Sequence, residues 1–83
     1  MYNIYVLRIL KDQYYTGFTR DLKQRFEQHQ KGEVDSTKNR LPFRLIYYEA
    51  CLSQEDATHR EKYLKTYHGR MFLKKRLKSY LTG

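Results

Sequence analysis

Cysteine, proline and long apolar runs are scarce in this 83-residue sequence, which has one cysteine, one proline and no tryptophan. The one thiol, Cys51, cannot form a disulfide within the chain, and no histidine–cysteine spacing predicts a zinc site. No stretch approaches the roughly 20 apolar residues of a membrane span, and the first apolar run, 4–10, is interrupted by Arg8. These absences favour a reducing compartment without secretion or membrane insertion, so we expect a cytoplasmic protein.

Acidic residues are also few, since 9 aspartates and glutamates stand against 17 lysines and arginines, for a net charge of +8. This excess predicts a polyanionic partner, with nucleic acid first and an acidic membrane surface second. A basic surface that serves only solubility is the alternative. Aromatic residues are plentiful, at 16% with nine tyrosines, and 40% of the chain is hydrophobic. That content is enough for the modest core of one domain over residues 1–83.

Turn and capping residues divide the chain into elements in the order β-β-α-β-α-α. The first two strands form a hairpin around Lys11-Asp12. Thr19 can cap the first helix, and Gly32 ends it. The second helix starts with Ser53 as its cap, and a break is expected at 67–69. The predicted bounds are strands over 2–10, 13–18 and 43–51, and helices over 19 to about 31, 53–66, and 70 to about 80.

The hairpin carries tyrosines on both strands. Simple pairing around the predicted turn places residue 5 opposite residue 18, so Tyr5 and Tyr15 lie about 10 Å apart along the ladder, and nearer only if a bulge intervenes. Strand geometry therefore leaves two interpretations open: the tyrosines fill the sheet, or they present hydroxyls to a substrate. Gly17 within the second strand marks a bulge or a close approach of another group.

Three polar residues on the predicted helices are further candidates. Arg25 and His29, four residues apart, share a face of the first helix. They can clamp a phosphodiester, because arginine offers a planar fork of donors to phosphate oxygens, or they can be an ordinary solvated pair. Glu61 lies in the arc of the second helix that should face the core. It can form a salt bridge with a nearby cation, or it can hold Mg²⁺, which accepts one carboxylate together with phosphate and water.

Together these residues resemble the GIY-YIG nuclease superfamily. The two signatures occur as NIY at 3–5, with Asn in the place of Gly, and as YTG at 15–17, with Thr in the place of Ile. The segments FTRDLKQRFEQHQKG, FRLIYYEA and EDATHREKYLKTYHGRMFLKKRL follow in order. The likeness covers essentially the whole chain and is strongest to small stand-alone members related to the nuclease domain of a DNA-repair excinuclease. It implies an α+β fold, a small three-stranded, mainly antiparallel sheet flanked by helices.

The resemblance also implies metal-dependent hydrolysis of DNA phosphodiester bonds. The implied catalytic residues are Tyr5, Tyr15, Arg25, His29 and Glu61, with Gly17 structural at the site. Glu61 would hold one Mg²⁺, for which Mn²⁺ can substitute, and Arg25 would stabilise charge on the phosphate. Tyr5 would orient or deprotonate the attacking water, as a phenolate under the influence of the metal. His29 and Tyr15 would position that water and the phosphate.

Two departures from the family pattern bear on activity and targeting. Many members carry an asparagine a dozen or so residues after the glutamate, and residues 73–76 offer none here. The family also usually joins this domain to a separate DNA-binding module, so target choice would come from the chain's own surface or from a targeting protein. The candidates for phosphate-backbone contacts are Lys38, Arg40, Arg44, Lys74, Lys75, Arg76 and Lys78. Each of these cations can also be a solvated surface charge.

Three functions remain open at this point. The first is a Mg²⁺-dependent DNA endonuclease, a monomer or weak dimer, in repair or recombination. The second is a non-catalytic nucleic-acid-binding module that keeps the nuclease fold. The third is a protein-interaction domain whose basic face docks an acidic partner. Metal-dependent cleavage that is lost in Glu61→Ala separates the first from the others, and DNA binding at low salt separates the second from the third.

Overall fold

The computed structural model describes residues 1–10, 13–40 and 42–82, and the predicted turn at Lys11-Asp12 lies outside them. The elements are β1 (Tyr2–Leu10), β2 (Gln13–Thr19), α1 (Leu22–Gln30), β3 (Arg44–Cys51), α2 (Gln54–Leu64), α3 (Tyr67–Arg76) and α4 (Lys78–Thr82). The predicted α+β fold is confirmed, as a three-stranded antiparallel sheet in the order β2-β1-β3. The last predicted helix is divided into α3 and α4. None of the described helices is long and apolar enough to cross a membrane.

The central strand, β1, divides the core into two layers. Its even-numbered residues Ile4 and Val6 pack against α2 and α3, where Leu64 is also fully buried. Its odd-numbered residues Tyr5 and Leu7 lie on the opposite face, under apolar side chains of α1. Successive strand residues point to opposite faces, and both faces of β1 are covered, which explains its nearly continuous apolar sequence.

The pairing of β1 with β2 corrects the register expected from simple pairing. Tyr5 lies opposite Gly17, where simple pairing placed residue 18, and Tyr15 lies opposite Leu7. The cause is a register shift of one residue at the turn end of the ladder. Tyr5 and Tyr15 are therefore two residues apart along the ladder and share a face, with their ring centroids 6.3 Å apart.

Helix α1 starts slightly later than its predicted cap. Asp21, and not Thr19, is the cap, because its carboxylate accepts a hydrogen bond from the Gln24 N–H at 3.0 Å. The Thr19 hydroxyl instead accepts from the Asp21 N–H. The helix runs to Gln30, and the predicted stop at Gly32 is confirmed by the left-handed φ of 72° at that glycine.

The start of α2 confirms one prediction, and its connection to α3 overturns another. Ser53 caps α2, as predicted. The predicted break at 67–69 is wrong, because these residues form the first turn of α3, where the Thr66 hydroxyl accepts from the Gly69 N–H at 3.2 Å. A Cβ on Gly69 would lie within 3.0 Å of the α2 backbone at Leu64. The glycine therefore permits close packing of two helices instead of ending one.

An ion pair ties β3 to α2. Arg60 donates to the two carboxylate oxygens of Glu49 through Nε and Nη2, each at 2.8 Å. The Tyr47 hydroxyl donates to the same carboxylate at 2.7 Å. The Arg60 guanidinium also lies 4.6 Å from the centroid of the Phe72 ring. The hydrogen bonds from Arg60, with those from Tyr47, hold the pKa of Glu49 below its usual value.

Replacing Glu49 by glutamine is expected to lower the free energy of unfolding at neutral pH by about 1–2 kcal/mol, because charge-assisted hydrogen bonds are lost at a partly exposed site. The folded-state pKa lies below the unfolded one, so the wild-type advantage is complete above the ordinary glutamate value of 4.5 and is lost as the pH falls through the folded value. Urea unfolding of both proteins from about pH 7 to pH 2 measures it. If the difference in free energy of unfolding between the two proteins stayed constant across this pH range, the lowered pKa of Glu49 would be contradicted.

Candidate active site

Tyr5, Tyr15 and His29 form an aromatic cluster on the face of the sheet that α1 covers. The centroid of the His29 ring lies 5.6 Å from that of Tyr5 and 5.3 Å from that of Tyr15. Phe43, which directly precedes β3, lies 5.7 Å from His29 and adds an apolar wall. The structure thus brings three sequence-predicted site residues together from β1, β2 and α1.

Gly17 is where the Tyr5 ring crosses the backbone of β2. A Cβ at Gly17 would lie within 3.0 Å of the hydroxyl oxygen and of two ring carbons of Tyr5. Any larger residue would therefore displace a ring that is only 2% exposed. Of the two possibilities that the sequence left open for this glycine, the structure shows the close approach.

Replacing Gly17 by alanine is expected to lower the free energy of unfolding by about 1–3 kcal/mol, because the added methyl group overpacks a buried site. Thermal unfolding measures this loss. Tyr5→Leu offers a matched background, since the smaller side chain leaves room beside β2. There the same alanine should cost much less than in wild type. An equal cost in both backgrounds would show that the ring is not what excludes a side chain at Gly17.

A line of hydrogen bonds passes through the His29 ring. The Tyr5 hydroxyl lies 2.8 Å from His29 Nε2, and His29 Nδ1 lies 2.6 Å from Thr37 Oγ1. Both His29 and Thr37 are completely buried, at 0% exposure. Sequence reasoning did not single out Thr37, because a polar residue in a polar loop carries no periodic signal. Only the folded chain brings the loop after α1 back to the histidine.

Burial determines the protonation of the aromatic cluster. Desolvation, followed by the influence of Tyr15, raises the pKa of Tyr5 to about 12, while the neighbouring Arg25 acts in the opposite direction. Burial, with the charge of Arg25 second, lowers the pKa of His29. At neutral pH the phenol therefore keeps its proton and the imidazole is uncharged.

Arg25 and Glu61 both act on the Tyr5 hydroxyl, from α1 and α2. Arg25 lies close enough to lower the pKa of that hydroxyl through its charge and hydrogen bonding, and the negative charge of Glu61 raises the same pKa. Arg25 also donates to Gln28 Oε1 at 3.3 Å. The Glu61 carboxylate pairs with the exposed ammonium of Lys65 at 3.3 Å, so the salt bridge considered from the sequence is present. A cationic group therefore interacts with the buried phenol, and an anionic group lies within electrostatic range of it.

The donor set suits a divalent cation shared with a substrate. Within the described parts of the chain, no group of three or more acidic, histidine or cysteine side chains could hold a metal. Glu61 offers a single carboxylate that retains 21% exposure. Mg²⁺ fits such a donor, since it keeps several waters and is commonly bound by one or two carboxylates together with substrate phosphates. An all-protein metal cage does not fit these residues.

The cations predicted to contact DNA do not lie on one surface. Lys38 and Arg40 are exposed in the loop that carries Thr37, beside the aromatic cluster, and Lys38 pairs with Asp35 at 3.6 Å. The other five are exposed on β3, α3 and α4: Arg44, Lys74, Lys75, Arg76 and Lys78. Helix α3 packs on the face of the sheet opposite Tyr5. The loop pair alone therefore borders the cluster directly.

A cavity of about 540 Å³ lies on the other face of the sheet, between it and α3 and α4. Its lining is mainly apolar, with Lys65, Arg70 and Lys74 as its cations. No carboxylate or histidine lines it. The groups that could move a proton or hold a cation are instead around Tyr5, so the candidate active site lies there and not in this cavity.

Comparisons with known proteins find similarity over most of the chain. A family model described as "GIY-YIG catalytic domain" matches residues 1–76. A "UPF0213 protein" of Limosilactobacillus reuteri (strain DSM 20016) is 40% identical over an alignment of 67 residues, and the match covers 77% of this chain and 70% of the relative. A "UPF0213 protein" of Staphylococcus aureus (strain Mu3 / ATCC 700698) is 34% identical over an alignment of 65 residues, and the match covers 77% of this chain and 79% of the relative. No solved structure gives a significant match.

Proposed function

Because this chain belongs to the GIY-YIG family of nuclease domains, we propose that it is an endonuclease that hydrolyses DNA phosphodiester bonds with a divalent cation. The observation that carries the proposal is the environment of the Tyr5 hydroxyl. It is buried, yet it lies 2.8 Å from a neutral imidazole, that of His29, and is influenced by the positive charge of Arg25 and the negative charge of Glu61. A tyrosine that only filled the core would need none of these groups.

Arg25 and Glu61 suit the electrostatic part of the reaction. Arg25 would bind phosphate oxygens through its planar fork of donors and stabilise the charge that develops on them. Glu61 would hold Mg²⁺, with Mn²⁺ as a substitute, and such a cation supplies polarisation of the phosphate and stabilisation of the leaving oxygen. Because their charges are opposite, Arg25 would contact the phosphate oxygens directly, whereas Glu61 would act on the same phosphate through the cation.

Tyr5 and His29 would carry the proton that the attacking water loses. With a pKa of about 12, the Tyr5 phenol keeps its proton at neutral pH when no cation is bound, so the route proposed here does not require a phenolate before the substrate and cation bind. The Tyr5 oxygen can accept a proton from water while its own proton passes to His29 Nε2, which lies 2.8 Å from that oxygen. The water oxygen then bonds to phosphorus as the bond to the leaving oxygen breaks, and His29 becomes an imidazolium.

Tyr15 would position the water or the phosphate beside this pair. Its side chain is half-buried, and its hydroxyl accepts a hydrogen bond from Ser36 Oγ at 3.3 Å. Lys38 and Arg40, in the same loop as Ser36, would contact the DNA backbone nearest the cut. The cations of α3 and α4 would reach DNA only if it extended to the other face of the sheet.

A cleavage assay on labelled DNAs, from plain duplex to branched structures, tests the proposal in the presence of Mg²⁺, Mn²⁺ or EDTA. We expect product with either cation and none with EDTA. A preference for branched DNA would support a role in repair or recombination. Binding of the same DNAs, measured at low salt, is the parallel readout. Binding without product on any DNA would contradict the proposal.

The second candidate function is a nucleic-acid-binding module that keeps the nuclease fold without the chemistry. One observation favours it, which is the absence from residues 73–76 of the asparagine that many members carry. This candidate predicts salt-sensitive DNA binding and no metal-dependent product. If the chain neither cut nor bound DNA, an acidic protein partner for its basic surface would be the hypothesis to pursue.

A further inference from the structure

We propose that Thr37 is a positioning residue of the candidate site, which holds His29 in the one tautomer that can accept the proton of Tyr5. The inference rests on the proposed function, because it gives Thr37 a part in the proton path. Thr37 belongs to none of the signature segments that point to the catalytic residues, and it lies in the loop between α1 and β3.

The loop holds the threonine hydroxyl firmly in place. The Thr37 N–H donates to the Val34 carbonyl at 3.0 Å, and the Thr37 carbonyl accepts from the Arg40 N–H at 2.9 Å. Both backbone groups of Thr37 are therefore used within the loop. Its side chain is completely buried, and its Oγ1 lies 2.6 Å from His29 Nδ1. A polar group buried to this degree is expected to serve a specific partner, and the partner here is the imidazole.

The groups around the Tyr5 hydroxyl favour one direction for the hydrogen bonds. Arg25, whose charge and donors act on this hydroxyl, can only donate, so a phenol oxygen that receives from Arg25 can direct its own proton to His29 Nε2, 2.8 Å away. A neutral imidazole has one donor nitrogen and one acceptor nitrogen. With Nε2 accepting, Nδ1 carries the ring proton and donates it to Thr37 Oγ1.

A threonine suits this position better than the carboxylate that often orients a histidine. A carboxylate would raise the pKa of His29 and favour the imidazolium, which has no free nitrogen to receive a proton. The uncharged hydroxyl of Thr37 fixes the ring and its tautomer and leaves His29 neutral. Once His29 has gained the proton of Tyr5, its charged Nδ1–H makes a stronger hydrogen bond to the same oxygen.

The test combines NMR of the imidazole nitrogens with cleavage by two variants. Thr37→Val keeps the size of the side chain and removes the hydroxyl, whereas Thr37→Ser keeps the hydroxyl. We expect wild type and Thr37→Ser to show the Nδ1-protonated tautomer of His29, and Thr37→Val to show a mixture. The exposed His59 and His68 provide reference signals in the same spectra.

The rate of cleavage should depend on the presence of a hydroxyl at position 37. In metal sites, a partner that orients a ligating histidine typically accounts for about 10- to 100-fold in activity. Thr37 would orient His29 in the same way, although His29 is not the residue that would hold the cation, and we expect a loss of that size in kcat for Thr37→Val. The affinity for DNA should be unchanged, and Thr37→Ser should restore most of the rate. A merely structural role would not shift the tautomer, and serine would not rescue it.

Each outcome decides the proposal. An Nε2-protonated His29 in wild type would overturn it without any variant, even if Thr37→Val failed to fold. Wild-type rate and a single tautomer in Thr37→Val would overturn it as well. If wild type shows the Nδ1-protonated tautomer but cuts no DNA with Mg²⁺ or Mn²⁺, then the nuclease proposal fails and the tautomer assignment of Thr37 stands on the spectra.

Discussion

Glu61→Gln is expected to lower the rate of DNA cleavage by about 10²–10³-fold and to leave DNA binding unchanged. Glutamine keeps the size of the side chain but loses the charge that would hold the cation. Removal of one electrostatic contact to a reacting group typically costs about 10²–10³ in kcat. Within the described part of the chain, no group of three or more acidic, histidine or cysteine side chains offers an alternative metal site. Single-turnover cleavage at saturating DNA with Mg²⁺ measures the effect.

Glu55→Gln is the matched control for this variant. Glu55 is exposed in the first turn of the same helix, so its replacement removes the same charge away from the aromatic cluster. We expect it to cut DNA at the wild-type rate. Urea unfolding should show little change for Glu61→Gln, because the pair with exposed Lys65 contributes at most about 1 kcal/mol. A Glu61→Gln rate within about tenfold of wild type would show that this carboxylate does not hold the cation.

Tyr5→Phe is expected to lower the cleavage rate by about 10²–10⁴-fold, the range associated with a proton-transfer group. The ring remains and fills the same space beside Gly17, while the oxygen that would receive the proton from water is lost. Buried His29 Nε2 also loses its partner, so the free energy of unfolding should fall by about 1–3 kcal/mol. Cleavage and urea unfolding of the same preparation measure both effects.

Tyr14→Phe separates this effect from a general loss of hydroxyls in the hairpin. Tyr14 neighbours Tyr15 on β2 but packs against the other layer of the core, with Ile4 and Val6. Its replacement should leave the cleavage rate unchanged. If Tyr5→Phe cut DNA as fast as Tyr14→Phe, then the proton would not leave through Tyr5 and the role proposed for His29 would also be lost.

The sequence predicted the elements well where local chemistry determines them. Gly32 ends α1 and Ser53 begins α2 because a left-handed residue and a capping hydroxyl act within one turn. The predictions that failed depended on alternatives a few residues apart or on tertiary contacts. Asp21 and Thr19 competed for one cap, and Gly69 resembled a helix end while it served the packing of α3 on α2.

The candidate site was predictable in its residue types but not in its geometry. The motif spacing pointed to Tyr5 and Tyr15, yet their closeness depends on a one-residue register shift that no local pattern indicated. The helical arc of Glu61 predicted partial burial, and it could not decide between an ion pair and a cation site. Thr37 gave no sequence signal because its contact with His29 joins a loop to a helix across a buried space.

The central claim is that Tyr5 on β1 and Glu61 on α2 act in one reaction at one phosphate. Single-turnover cleavage by wild type, Tyr5→Phe, Glu61→Gln and the double variant tests it most directly. Residues that act as a unit have non-additive effects, so the double variant should cut about as fast as the slower single variant. Losses that multiplied, which would leave no detectable product from the double variant, or a wild type without metal-dependent product would contradict the claim.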